Sequence, residues 1–211
     1  MSWATPRELL RIIVDELRVT TELFSSVHNA YHPIRKHYTA PGPNQGANTP
    51  FAERGGFAVD GLRQEAYVGS VYANPEYDGT SIEESMEFAR VAAERPGFRA
   101  VYVIPMTDAR VRQWVDATSP QGVRTRLLTV FPRHTVPFVS ARWWTTGIQG
   151  RGTYKDPKDL TRVVVAVIEH GGPSTEDSLE PIDEASYHRR VNGWFSSVAP
   201  AKWTRQFQPE G

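Results

Sequence analysis

The chain has 211 residues, 39% of them hydrophobic and 23% charged. That is enough for one domain with a full core and too ordinary for global disorder. Lys+Arg and Asp+Glu both count 24, a formal net charge of +0, without the basic excess usual in nucleic-acid binders, although a local basic groove remains open. Cysteines number 0, which rules out disulfides, thiolate metal sites and cysteine nucleophiles.

No run approaches the ~20 apolar residues of a membrane span. The opening stretch mixes charges into its apolar residues, unlike a signal peptide. A soluble, intracellular protein with no membrane partner is expected. Thr5-Pro6-Arg7-Glu8 has the pattern of a capping box with proline at the first helical position, and Leu9, Leu10, Ile13, Val14 and Leu17 follow at helical spacing. A second short helix is expected from Thr20 or Thr21, carrying Leu23, Phe24 and Val27. Residues 39–56 are rich in Gly, Pro and Asn and form a long loop, functional or merely a surface excursion.

From there the pattern becomes regular. Val68–Ala73 is a strand. Ser81-Ile82-Glu83-Glu84 caps a helix running to about Arg95, with Ile82, Met86, Phe88 and Ala89 as core residues. Phe98–Ile104 is a buried strand, and Pro105-Met106-Thr107-Asp108 turns into a short helix bearing Val111, Trp114 and Val115. Arg124–Phe131 is a further strand, Pro137–Thr145 is extended in one reading, and Arg162–Ile168 is a fully apolar strand. Strands alternating with helices imply an open α/β sheet, mainly parallel, that binds ligands at the carboxyl ends of its strands. The last strand follows a long excursion without a clear helix, so an antiparallel course is open. Residues 1–170 form this domain. Residues 171–211 begin as a turn-rich acidic linker and continue with aromatics but no sustained period. They read as a loosely packed extension, or one that packs on the domain or on a protein partner.

The most informative stretch is Val71–Gly79. A short apolar run ends in Asn74-Pro75-Glu76-Tyr77, and a helix signal follows. An exocyclic amine must be gripped by acceptors and its ring held flat. Asn74 offers an amide oxygen, Pro75 or Glu76 a backbone carbonyl, and Tyr77 a stacking face. Acceptors on both N–H bonds favour a pyramidal, more nucleophilic nitrogen, and stacking contributes roughly 1–3 kcal/mol.

Residues 16–170 together resemble the adenine N6-methyltransferases, most of all the phosphorylated CTD-interacting factor family. That family methylates N6 of the cap-adjacent 2′-O-methyladenosine of messenger RNA. Its Phe-Ala-Ser-Pro-Leu-Asn, Phe-Gly-Ser-Arg-Gly and Ala-Asn-Pro-Pro-Phe segments match, in order, Glu16–Phe24, Phe51–Phe57 and Ala73–Tyr77. A strand ending Ile-Pro corresponds to Ala100–Pro105. The later strand, His/aromatic loop and final strand correspond to Leu127–Phe131, His134–Trp144 and Val163–Ile168. Phage-type Dam methylases share a similar order. Three departures stand out: Glu76 replaces the second proline, Thr20-Thr21 replaces a proline-containing segment, and little precedes residue 16. No glycine-rich dinucleotide fingerprint follows an N-terminal strand either.

The resemblance implies a Rossmann-like fold for S-adenosylmethionine (SAM)-dependent methyl transfer, compact or truncated, and a nucleic-acid substrate, RNA or DNA. It puts Asn74, Pro75, Glu76 and Tyr77 at the catalytic position. Thr20, Thr21, Phe24, Arg54, Gly55, Asp60 and Asn74 fall at the cofactor, and Tyr77, Arg133, His134, Trp143 and Trp144 on the substrate side. The ordinary reading of Arg54 is a surface ion pair, and of Asp60 plain loop chemistry. Arginines interleaved with Trp143, Trp144 and Tyr154 suit single-stranded nucleic acid, but also fit a solvated strand face over core tryptophans. His28 and His32 have i, i+4 spacing, yet Pro33 follows at once and no third ligand is evident, so no metal site is expected. The absence of Gly-X-Ser-X-Gly disfavours a serine hydrolase. Two alternatives stay open: an inactive descendant serving as a structural or binding subunit of a larger nucleoprotein or viral assembly, and a small-molecule or protein N-methyltransferase.

Overall fold

The computed structural model describes residues 3–24, 33–34, 36–39, 57–59, 68–75, 79–114, 117–132, 139–140 and 161–198. The strands are β1 (Trp3–Ala4), β2 (Val19–Leu23), β3 (Lys36–Thr39), β4 (Phe57–Val59), β5 (Gly69–Ala73), β6 (Phe98–Thr107), β7 (Ala117–Thr118), β8 (Val123–Val130), β9 (Val139–Ser140) and β10 (Thr161–His170). The helices are α1 (Arg7–Leu17), α2 (Gly79–Ala93), α3 (Asp108–Gln113) and α4 (Glu184–Val198).

Eight strands form one sheet in the order β4-β3-β2-β5-β6-β10-β8-β7. Strands β2 to β6 pair parallel, whereas β10 runs antiparallel to both β6 and β8. The arrangement is a mixed α/β, Rossmann-like sheet, mostly parallel, with two reversed strands toward its far side, β10 inserted between β6 and β8 and the short β7 at the edge. A separate two-stranded ladder joins β1 to β9.

The central strands are buried on both faces, so they read as continuous apolar runs instead of alternating ones. In β6 and β10 successive residues go to opposite sides. Tyr72, Val101, Val103, Val163, Val165 and Val167 pack beneath α1 and α4. Val71, Ala73, Ala100, Tyr102, Ile104, Val164 and Ala166 pack beneath α2. Each fully buried aliphatic side chain of this kind contributes about 1.5–3 kcal/mol.

α1 buries Leu9, Leu10, Ile12, Ile13 and Leu17 along one stripe and ends at Arg18, which takes a left-handed φ of 53° and donates its backbone N–H to Val14 O. Thr5 does not cap it. Its hydroxyl instead meets the Tyr72 phenol at 2.6 Å in the interior, and Pro6 stands at the cap.

Three such phenols tie helices to the sheet. Tyr102 donates to Ser85 O at 2.7 Å, and Tyr187 of α4 meets Thr129 Oγ1 at 2.9 Å. Burial pushes all three phenols well above the ordinary value of 10.0, against the smaller opposing effect of their hydroxyl partners. Because they ionise more easily once unfolded, their stabilisation is complete below pH 10 and is lost above it. A pH series of melting temperatures is therefore expected to fall steeply above about pH 10. Tyr72→Phe should flatten part of that fall and cost about 1–2 kcal/mol at neutral pH, measurable by urea unfolding.

Several expectations need correction. Residues 19–23 form strand β2, not a helix: Arg18 stops α1, and the run Val19-Thr20-Thr21 is β-branched and suits a pleated, half-buried surface. Two further strands that the local pattern does not announce complete this flank, β3 beside β2 and β4 at the edge. α2 starts two residues before Ser81 and ends at Ala93. β6 continues through Pro105 to Thr107, with α3 following directly.

The C-terminal segment holds α4, which buries Tyr187, Val191, Trp194 and Phe195 in the core with α1. Phe131 meets Trp194 edge-on at 6.1 Å. Arg190 fixes α4 to α1 by donating to Glu16 at 2.7 Å and Asp15 at 2.9 Å. These carboxylates hold its guanidinium charge even more firmly than usual. Residues 199–211 lie outside the described part.

Candidate functional site

The chain builds β2, β3 and β4 outward in one direction, then returns to the other flank of β2 to lay down β5 and β6. The strand order therefore reverses between β2 and β5. In open α/β sheets the crevice outside the carboxyl ends of the strands at such a switch point is where ligands bind, because the two following loops diverge and leave a gap. Leu23 pairs with Ala73 in register, so these two residues mark the floor. The next residues on either side are Phe24 and Asn74-Pro75. β6 extends five residues beyond Tyr102, the partner of Ala73, and flanks this edge.

Phe24 has φ 61°. A left-handed backbone at a bulky aromatic residue is uncommon and strained, the type of feature found where a site dictates the chain's course. Its side chain is half-buried and packs against the cluster under α2. Asn74 is half-buried and Pro75 buried. Proline cannot extend the β5 ladder, and it restricts Asn74 to an extended conformation. The strand thus ends where the amide group leaves the sheet.

Thr20 and Thr21 lie lower in β2. Thr21 is buried opposite Val71. Thr20 donates its hydroxyl to Ser70 O at 3.3 Å, near the amino end of β5. A side chain at Gly69, whose φ is 97°, would bring its Cβ to 3.0 Å from Thr20 Oγ1. Thr20 is exposed at an irregularity of the β2–β5 ladder, and its hydroxyl is turned toward the start of β5. Glu76, Tyr77, Arg54, Gly55, Asp60, Arg133, His134, Trp143 and Trp144 lie outside the described residues, as do His28 and His32.

The sequence reading did not single out Glu22. It is the penultimate residue of β2, only 4% exposed, beside Tyr72 on the neighbouring strand. A buried carboxylate one residue from the crevice floor is costly unless partnered. Its signal in the sequence is an acid set between Thr21 and Leu23 in an otherwise uncharged strand.

Among the described residues no group of three or more His, Cys, Asp or Glu side chains is placed to hold a metal ion. No described helix is long and apolar enough to cross a membrane.

No family model matches the chain, and no curated protein does. Among solved structures it is similar to a dimethyladenosine transferase from Plasmodium falciparum, with 10% identity, 94% of this chain and 69% of that chain covered, and a TM-score of 0.41. It is also similar to the 23S rRNA methyltransferase ErmE, with 11% identity, 95% and 82% covered, and a TM-score of 0.43.

Proposed function

We propose that the chain is a SAM-dependent N6-adenine methyltransferase acting on nucleic acid, with its active site in the crevice between β2 and β5. The observation that carries this reading is the position of Asn74-Pro75. An amide followed by a proline sits at the carboxyl end of β5, which borders the point where the sheet order reverses.

The residues at the crevice suit the cofactor in kind. Phe24 offers an aromatic surface for an adenine ring, and Asn74 an amide able to donate and accept. Bound SAM supplies a methyl group on a sulfonium centre. The protein's part is positioning. The Asn74 side-chain oxygen and the Pro75 carbonyl accept the two N–H bonds of the target amine, draw its lone pair out of conjugation and aim it. Tyr77 stacks on the base. Arg133, His134, Trp143 and Trp144 contact the polynucleotide.

A methyl-transfer assay with labelled SAM on adenosine-containing RNA and DNA oligonucleotides tests the reading. Incorporation at N6 of adenine is the expected result, and none on either polymer would contradict it. Phe24→Ala should weaken SAM binding about tenfold, the loss of one stacking contact of roughly 1–3 kcal/mol, read by calorimetry. An unchanged Kd would remove Phe24 from the cofactor site.

A second reading is a non-catalytic member of the same fold serving as a binding subunit. It draws support from Glu76, which places a carboxylate where the tetrad otherwise has proline. Under that reading the chain binds its partner without consuming SAM.

A further inference from the structure

At the opposite edge of the sheet, the amino ends of the parallel strands, lies a cavity of about 370 Å3, a volume typical of small-molecule sites. Its walls come from the start of β6, the strand β8, the end of β10, the following loop and the first turn of α4. Nothing in the methyl-transfer reading uses it.

Three guanidinium groups line the cavity, those of Arg99, Arg124 and Arg126, against two carboxylates, Glu169 and Glu184. Glu169 is locked between two of them: Arg99 Nε donates to it at 2.6 Å and Arg126 Nη2 lies 2.9 Å away. Arg126 also pairs through Nη1 with Glu184. Its Nε–H is buried without a partner, and the side chain is 7% exposed. A buried, unsatisfied N–H on a charged group costs about 1–3 kcal/mol or more, and native proteins seldom leave one without a reason.

The loop after β10 is shaped for close approach. A Cβ on Gly171 would stand 2.6 Å from Arg124 Cβ and 2.9 Å from Thr118 Oγ1, and one on Gly172 would stand 2.6 Å from His170 Nε2. A bare backbone is required at Gly171, while at Gly172 the His170 ring would have to turn aside. The hydroxyl-bearing Ser174 and Ser178 line the same space, while Phe98, Leu179 and Ile182 give it an apolar side.

We propose that this cavity binds the phosphoryl group of a small ligand, which takes the place of the Glu184 carboxylate at Arg126 Nη1. Glu184 is the partner that yields, because its side chain is 49% exposed and can turn to water, whereas that of Glu169 is 9% exposed and held twice. Glu184 thus occupies the place of the ligand's anion when the cavity is empty. A phosphoryl group fits better than a neutral ligand, since it brings several acceptor oxygens to a site rich in donors. The cavity also exceeds what an anion alone fills, at about 30 Å3 for one water.

Calorimetric titration of inorganic phosphate and of ribose 5-phosphate into the wild-type chain, Glu184→Gln and Arg126→Lys tests this. Both probes compete with Glu184, so Glu184→Gln should bind phosphate about tenfold more tightly than wild type. Arg126→Lys keeps the charge but not the planar fork that meets a phosphoryl group, and should lose binding. Because Arg126→Lys touches the buried network, the half-exposed Glu184→Gln carries the test even where the lysine variant folds poorly. Tighter binding of ribose 5-phosphate assigns the site to a phosphate ester, and equal or weaker binding assigns it to free phosphate. Saturable binding of neither probe by Glu184→Gln, or affinities equal to wild type, would overturn the proposal. None of these residues borders the β2–β5 crevice, so a failure of SAM binding leaves this result standing, and the reverse.

Discussion

Asn74→Ala is expected to lower the rate of methyl transfer by about 100-fold or more while leaving the melting temperature nearly unchanged, since removing one preorganised hydrogen-bonding group from a reacting centre costs about 2.7–4 kcal/mol of barrier. Asn74 lies beyond the last ladder residue of β5, and the backbone there is fixed by Pro75 and by Ala73 in the sheet. Its side chain is half-buried and stands outside the hydrophobic cluster under α2. The relevant readout is the single-turnover rate at saturating SAM and oligonucleotide. A loss confined to the KM for SAM would make Asn74 a cofactor contact only. A rate within threefold of wild type (about 0.6 kcal/mol) would remove it from the chemistry altogether.

Glu169→Ala is expected to be the most damaging single substitution for stability, at about 3–5 kcal/mol, because it leaves two buried guanidinium groups without their shared carboxylate. Glu169 sits directly opposite Arg99 on β6 and Arg124 on β8. Its two oxygens face different arginines, so neither can be compensated by a neighbour. Among the described residues Arg99 then keeps the Glu180 carbonyl at 2.9 Å, and Arg126 keeps Glu184. Glu169→Gln should cost less, since the amide oxygen can still accept from one arginine. Urea unfolding followed by far-UV circular dichroism separates the two variants. A loss below about 1 kcal/mol for the alanine variant would mean that the arginines reach water when the carboxylate is gone.

The parts of the fold legible in the sequence are those where residue type and burial agree. β5, β6 and β10 hold runs of Val, Ile, Ala and Tyr bounded by Gly, Pro or polar residues, as a strand buried on both faces does, and β8 adds β-branched and aliphatic residues on a half-buried strand. The helix after β5 announces itself through Ile82, Met86 and Ala89, all buried in the structure. The possible reversal of the last strand is realised in β10.

What was illegible has definite physical causes. In β2, Leu23 and Phe24 fall at a spacing compatible with a helix, and only the parallel pairing with β5 decides for a strand, a non-local contact that the local pattern does not contain. β3 and β4 have four and three residues, shorter than a period-2 pattern needs, and sit beside Gly/Pro-rich sequence. α4 hides its register because Gly193 and two serines interrupt the apolar side chains. Its burial is carried by three aromatics and Val191 rather than by aliphatic repeats. The Arg99–Glu169–Arg126 cluster could not be read from one strand at a time, since its members meet only across three strands.

The candidate site was legible in its center and not in its surroundings. The sequence placed Asn74 at the end of a buried strand, and the sheet puts that end next to the switch point. The sequence did not separate Thr20, bonded to Ser70 near the start of β2, from Phe24 at the crevice, because the two are only a few residues apart along the chain. It also passed over Glu22, whose burial follows from its place beside Tyr72.

The central claim is that the β2–β5 crevice is a SAM site, and isothermal titration of SAM into the purified chain, with Phe24→Ala alongside, tests it most directly. Saturable binding near the micromolar range by the wild type, weakened about tenfold in the variant, is the expected result. No heat of binding up to millimolar SAM would contradict the claim and leave the fold as a scaffold for a partner.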